Sequence, residues 1–382
     1  MGPGASAMAD LVGPDPAFWR GRRVFLTGQT GFKGAWLAVW LQQLGAEVRG
    51  FALPAEPGSL ALAAGPLGES LDGDIRDPMA LAAALLPFRP EVVLHLAAQA
   101  LVRRSYREPV QTFATNVMGS IHLLEAVRRC PSVRAVVMVT TDKCYANRER
   151  PEPYSEHEAL GGDDPYSASK AATEIAVAAW RRSFLARKEV APAIAPAKAA
   201  EPTAHAGVAV ATARAGNVIG GGDGAEDRLL PDCIRALRAG RSIEIRNPAA
   251  TRPWQHVLEP LCGYLLLAEA LWRDGTGMAE AWNFGPALAD VQPVGQVVAE
   301  VVRLWGEGAA WHVTDQPGAV HEARLLAVDA TKARARLGWQ PRLALADALE
   351  WTVTWHRQNA AGAEARALVV ADIDRYVALG SA

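Results

Sequence analysis

Five short apolar runs recur along the first 212 residues, each separated from the next by a longer stretch: Val24–Leu26, Glu47–Phe51, Val92–Leu96, Val136–Val139 and Val208–Thr212. Runs this short, rich in β-branched residues and bounded by turn formers, read as buried strands. After the first, Trp36, Leu37, Trp40, Leu41 and Leu44 fall at three-and-four spacing. That spacing predicts an amphipathic helix over 32–44, ended by Gly45. Strands alternating with helices of about 10–15 residues predict a parallel sheet with crossover helices, a doubly wound α/β fold. The alternation fades between Gly220 and Thr251 and again in the C-terminal third. A smaller second lobe covering the strand ends is expected there.

At about 150 residues per domain, the 382 residues suggest two domains or one enlarged one. Half of them are hydrophobic, which allows a sizeable core and excludes global disorder. With 39 basic against 41 acidic residues, nothing calls for nucleic acid or an anionic membrane as partner. No apolar run reaches the roughly 18 residues of a membrane span. Residues 1–17 are small and Gly/Pro-rich, without the apolar stretch of a signal peptide, and are expected to be a disordered leader. The Ala/Pro/Lys/Glu-rich segment 186–207 has no periodicity and is expected to be a flexible insertion. Cys130, Cys144, Cys233 and Cys262 form no CxxC pair. Reduced thiols in the cytoplasm and no metal site are expected.

Three motifs carry chemistry. The first, Thr27-Gly28-Gln29-Thr30-Gly31-Phe32-Lys33-Gly34, lies between a predicted strand and a predicted helix. Glycines there let a backbone approach a pyrophosphate, and the helix N-terminus favours its charge. The spacing is G-x-x-G-x-x-G, and an ordinary tight turn would look similar. The acidic residue expected after the second strand, for ribose hydroxyls, is absent. Phe51-Ala52-Leu53 stands there with Arg49 close by, which leaves NAD against NADP open. Asp74 either contacts the adenine or caps the helix that starts near Pro78. The second motif pairs Tyr166 and Lys170 on one helical face. A cation beside the phenol is expected to lower its pKa, so that it can exchange a proton with a hydroxyl. The third is Thr140-Thr141-Asp142-Lys143-Cys144-Tyr145 at the end of a predicted strand, where such sheets bind ligands. Only six of the 39 basic residues are lysine, and Lys33, Lys143 and Lys170 fall one in each motif.

Together these residues resemble the extended short-chain dehydrogenase/reductase superfamily, from about Trp19 to Trp355. His95-Leu-Ala-Ala-Gln99, Thr115-Asn116-Val117-Met118-Gly119 and Trp282-Asn-Phe-Gly-Pro286 belong to the resemblance. Within its nucleotide-sugar dehydratase/epimerase branch, the chain is most similar to the 4,6-dehydratases that act on CDP-glucose. TGQTGFKGAWL from Thr27, TTDKCY from Thr140, RAGNVIGGGD from Arg214 and RPWQHVLEPLCGYL from Arg252 carry that similarity. Related dTDP-glucose enzymes have Asp-Glu where this chain has Asp142-Lys143. One departure is Gly224, where that group has Trp, and it bears on the nucleotide pocket.

The resemblance implies a Rossmann domain over 18–216, completed by 257–287, that binds NAD. It implies a sugar-nucleotide lobe over 217–256 and 288–376, and a homodimer. Gly28, Thr30, Gly31, Phe32, Gly34, Asp74, Ile75, Ala97, Ala98 and Asn116 would hold the cofactor, with Tyr166 and Lys170. Asn116 would bind a backbone carbonyl, or simply mark a kink in its helix. Asn217, Arg228 and Arg252 would hold the substrate, the arginines on its diphosphate. Tyr166, helped by Lys170, would take the C4 hydroxyl proton while Thr141 hydrogen-bonds that oxygen. Asp142, kept protonated, would protonate the departing C6 hydroxyl. Lys143 would be either the C5 base or a clamp on the enolate. His256 is expected to be a packed core residue. Rival readings are a 4-epimerase, which needs no acid at C6, a dehydratase of another nucleotide hexose, and a non-catalytic cofactor-binding protein.

Overall fold

All five runs are parallel strands, and two more join them in one sheet. The computed structural model describes residues 12–185, 207–314 and 325–380. Its main strands are β1 (Arg23–Thr27), β2 (Glu47–Ala52), β3 (Glu69–Asp72), β4 (Val92–His95), β5 (Ala135–Val139), β6 (Ala209–Ala215) and β7 (Ala281–Phe284). They lie in the order β7-β6-β5-β4-β1-β2-β3, every pair parallel. The central strands are buried along almost their whole length, as continuous apolar runs in a doubly covered parallel sheet should be. The chain runs outward from β1 to β3, then returns to β4 on the other side of β1. The carboxyl ends of β1 and β4 therefore flank the crevice where doubly wound sheets bind ligands.

Helices cover both faces. One layer of the core gathers Trp36, Trp40, Val24, Leu26 and Leu265; the other gathers Phe25, Phe51, Leu81, Leu85, Leu123 and Val127. Helix α1 (Phe32–Gln43) departs from the expected amphipathic pattern, because every residue from Gly34 to Leu41 is buried. It packs on the sheet, and helix Ala365–Ala378 lies against it, so it has no solvent face. Gly45 at φ +82° turns the chain into β2. The other helices used below are α2 (Pro78–Leu85), α3 (Gly119–Arg128), α4 (Pro165–Trp180), α5 (Leu258–Asp274) and α6 (Leu345–Ala360).

Short strands build the part over the crevice. Ile243–Ile245 pairs with Trp311–Val313, and Thr251–Pro253 with Val291–Pro293. Helix α6 lays Trp355 so close to the chain that a Cβ at Gly221 would fall 2.1 Å from its ring. His256 is fully buried between Trp36 and Trp351, with ring centroids 5.9 and 5.6 Å away. Burial pulls its pKa down to about 3, so it stays neutral, a packing residue as expected.

Residues 1–11 of the expected leader lie outside the described residues. From there on, Asp15 caps a helical turn at Pro16–Trp19, and its N–H donates to Glu269 at 2.9 Å. The expected insertion also lies outside, apart from Gly207. Among the described residues no helix is long and apolar enough to cross a membrane.

Candidate active site

The glycine turn is built on close backbone contacts. Gly28 follows β1 at φ +79°, and a Cβ there would sit 2.7 Å from the Ala97 nitrogen, just after β4. A Cβ on Gly34 would come within 2.0 Å of the Gly28 carbonyl oxygen. Neither position has room for a side chain, and the neighbouring atoms are backbone that cannot swing away. The hollow faces the N-terminus of α1, whose cap residue, Gly31, leaves the first N–H groups without a side-chain partner. This cradle fits a pyrophosphate. Gly34→Ala is expected to cost about 1–3 kcal/mol from overpacking. It should also abolish the rise in melting temperature that NAD gives the wild type, as read by thermal unfolding with and without cofactor.

The cradle opens into a cavity of about 1900 Å³. Pockets for one drug-sized ligand hold about 300–1,000 Å³, so this one has room for two ligands side by side. All the expected site residues line it except Asp142 and Asn116, which stand just behind its wall.

Asn116 makes a backbone-carbonyl contact and also marks a helix irregularity. It lies in a π-helical turn, Ala114–Met118, and its amide donates to the Gln99 carbonyl at 3.0 Å. It also accepts from the Gln99 N–H at 2.8 Å and donates to Ser169 at 2.8 Å. It thereby ties the loop after β4 to α4. His95 lies 2.7 Å from Thr27 Oγ1 and 3.0 Å from Ser120, and burial drives its pKa to about 3, so it braces the strand ends uncharged.

Of the two readings of Asp74, the structure sets aside the helix cap. The helix cap is Asp77, whose carboxylate accepts from Met79 and Ala80. Asp74 instead grips the Arg76 side chain and N–H, which holds its carboxyl below the usual range. Arg49 is likewise engaged, with Glu69 at 2.7 Å, and its guanidinium stacks on Phe88.

Catalytic candidates converge from α4 and from the end of β5. Tyr166 and Lys170 share the buried inner face of α4. The phenol is pushed up to about 12, chiefly by burial; its hydrogen bond with Thr141 and the Arg228 charge pull the other way. The expected lowering by Lys170 is absent from this arrangement. The Lys170 ammonium donates to the Val139 carbonyl at 3.1 Å, so its charge is not aimed at the phenol. Asp142 is wholly buried. Its Oδ1 accepts from Thr141 at 3.0 Å and from Lys143 at 3.0 Å. Its Oδ2 has no hydrogen-bond partner and faces Gly216, where a Cβ would lie 3.2 Å away. Lys143 also donates to Asn217 at 3.1 Å. Arg228 pairs with Asp223 at 3.3 Å, and Arg252 donates to the Thr251 carbonyl at 2.8 Å. A Cβ at Gly224 would meet nothing within 4 Å, so that part of the wall is open.

A sequence profile of the NAD dependent epimerase/dehydratase family matches residues 24–283. The chain belongs to this family. A CDP-glucose 4,6-dehydratase of Salmonella typhimurium is 46% identical over 346 residues, 90% of this chain and 92% of the relative. A UDP-glucose 4-epimerase of Mycolicibacterium smegmatis is 28% identical over 284 residues, 73% of this chain and 80% of the relative. Among solved structures, DesIV is a dTDP-glucose 4,6-dehydratase of Streptomyces venezuelae with NAD and TYD bound. It aligns at TM-score 0.70 and 25% identity over 90% of this chain and 99% of its own.

Seen as a member of this family, the chain brings together beside the site two side chains, Lys33 and Tyr264, to which the sequence assigns no role. Lys33 projects from the first turn of α1, with its amine 3.5 Å from the Tyr264 hydroxyl. Burial, then the charge of Arg228, lower its pKa to about 7; Asp142 opposes this, while Lys170 and Lys143 add to it. Its motif had marked it, yet only the fold shows that all three motif lysines share one chamber. A second phenol, Tyr264 on α5, was invisible in sequence because nothing local separates it from a core tyrosine.

Proposed function

We propose that this chain is an NAD-dependent hydro-lyase that converts CDP-D-glucose to CDP-4-dehydro-6-deoxy-D-glucose and water. The observation that carries this reading is the free oxygen of Asp142, buried beside the Thr141–Tyr166 pair. An epimerase inverts C4 alone and needs no acid at C6. The choice of CDP follows the 46% identical relative, which is a CDP-glucose enzyme.

Bound NAD would supply the hydride acceptor for C4 of the sugar and the hydride donor for C6. Gly28, Gly34 and the start of α1 would cradle its pyrophosphate, with Thr30, Gly31, Phe32, Ile75, Ala97 and Ala98 around the cofactor and Asp74 toward its adenine. Tyr166 takes the proton of the C4 hydroxyl, and Thr141 holds that oxygen. The C4 ketone acidifies the C5 hydrogen. Asp142 delivers a proton from Oδ2 to the C6 hydroxyl as it leaves. A base takes the C5 proton and returns it to C5 after hydride reaches C6; Lys143, hydrogen-bonded to both Asp142 and Asn217, is either that base or a fixed cation where enolate charge develops. Arg228 and Arg252 hold the diphosphate.

Exposed apolar side chains on neighbouring helices, among them Val110, Phe113, Met118 and Ile175, support a homodimer. Four buried free thiols support a reducing, cytoplasmic setting. The test is to incubate the protein with NAD and CDP-, UDP-, dTDP- or GDP-glucose and weigh the sugar nucleotide. Loss of one water from the CDP sugar, without net reduced cofactor, is expected, and light scattering should give twice 40.7 kDa. Unchanged mass with inverted C4 would overturn the dehydratase in favour of the epimerase.

A further inference from the structure

Glu174 stands one turn beyond Lys170 on α4, a buried carboxylate that the proposed chemistry does not use. Both its oxygens are filled. Oε1 accepts from Thr140 at 2.5 Å and from Arg214 Nε at 2.9 Å. Oε2 accepts from Thr212 at 2.7 Å and from Arg214 Nη2 at 2.8 Å. Arg214 Nη1 then donates to Tyr145 at 2.9 Å, and Tyr145 donates to Asn283 at 2.7 Å. The network joins α4 to β6, to the end of β7, and to Thr140, which leads directly into Thr141 and Asp142.

A buried ion pair is a weak device for stability, since apolar residues of the same volume often serve as well. Its position here suggests another use. Resting on the function proposed above, we propose that Glu174 is a positioning residue. It sets a fixed buried anion one turn from Lys170 on α4, and its hydrogen bonds fix Thr140, and so Thr141 and Asp142, at the reacting face.

The surrounding charges agree. Burial pulls Lys170 down to about 8; Glu174 is the main influence against that, followed by Cys144 from the turn after β5. Lys33 on α1 and His95 on β4 also feel the Lys170 charge, and His95 is neutral. Burial alone would raise the Glu174 carboxyl. Arg214, Thr140 and Thr212 more than offset this and hold it below the usual range, so Glu174 is charged.

The test is competitive acetylation of the cofactor-free protein across a pH series, with mass spectrometry of the lysine peptides and Lys332 as internal reference. In Glu174→Gln the Lys170 midpoint is expected to fall by about one pH unit, a tenfold change in its acidity. That variant strands the Arg214 guanidinium and can fail to fold, so the double variant Glu174→Gln with Arg214→Met should show the same fall. Glu174→Asp keeps the charge and should keep the midpoint. With NAD and nucleotide sugar, the alkaline limb of kcat should move to lower pH in the double variant, with KM little changed. An unmoved Lys170 midpoint in the double variant, or equal shifts in the Asp and Gln variants, would overturn the proposal. If no nucleotide sugar is turned over, the dehydratase reading fails, and the acetylation midpoints still decide the role of Glu174.

Discussion

Asp142→Asn should lower net dehydration by about 10²–10⁴-fold while leaving a single-turnover burst of reduced nicotinamide. The separation follows from the two oxygens of the carboxyl group. Oδ1 is committed to Thr141 and Lys143, and an asparagine carbonyl can accept the same two donors. Oδ2 is the buried oxygen without a partner, and it is the one that must hand over a proton. Asparagine places an amide there, which cannot act as an acid. Oxidation at C4 should therefore proceed, and the sugar should stall before water leaves. Stopped-flow absorbance gives the burst, and mass spectrometry of the sugar nucleotide gives the missing elimination. Should the burst disappear together with turnover, Asp142 is not the acid that serves C6.

Tyr166→Phe should remove both stages. The ring packs as before, so cofactor affinity and melting temperature should stay close to wild type, but the C4 hydroxyl loses its proton acceptor. A loss of about 10²–10⁴-fold in kcat, with no burst, is expected. In the cofactor-free protein burial pushes the phenol up to about 12, so its proton is tightly held before the site fills. Turnover that depends on the phenolate should rise with pH through the neutral range. The Phe variant should lose that dependence along with the rate. A burst surviving in this variant would assign the base to another group.

The sheet was legible where burial demands an unbroken apolar run, as in β1, β4, β5 and β6; β7 is buried too, but Asn283 interrupts its apolar run and it was not read as a strand. Strand β3 was not legible either: Glu-Ser-Leu-Asp lies at the sheet edge, largely exposed, and carries no such signal. Helix α1 was found by its spacing and misjudged in its surroundings, since periodicity shows which residues are apolar and not what covers the opposite side. The site followed the same division. Glycines with forced backbone contacts, Tyr166 with Lys170, and the Asp142–Lys143 pair announce themselves through spacing. The direction of the Lys170 amine and the meeting of Lys33 with Tyr264 depend on residues remote in sequence. Asn116 shows the middle case: a carbonyl contact and a helix irregularity were both foreseeable, but not that one residue serves both.

That irregularity bears on how the segment can change over time. A π turn holds one residue more than an α turn, and each residue advances a helix by about 100°. On one side of the extra residue, Asn116 is locked to Gln99, and its own carbonyl receives the Ser120 and Thr173 hydroxyls at 2.7 and 2.9 Å. On the other, Gly119 sits so near Ile75 that a Cβ would lie 2.5 Å from it. Loop lengths drift freely among related chains, yet here a single deletion would straighten the helix and turn one flank away from its partners. The helix from Pro109 to Arg128 is thus a ruler of fixed count, more tolerant of substitution than of any change in length.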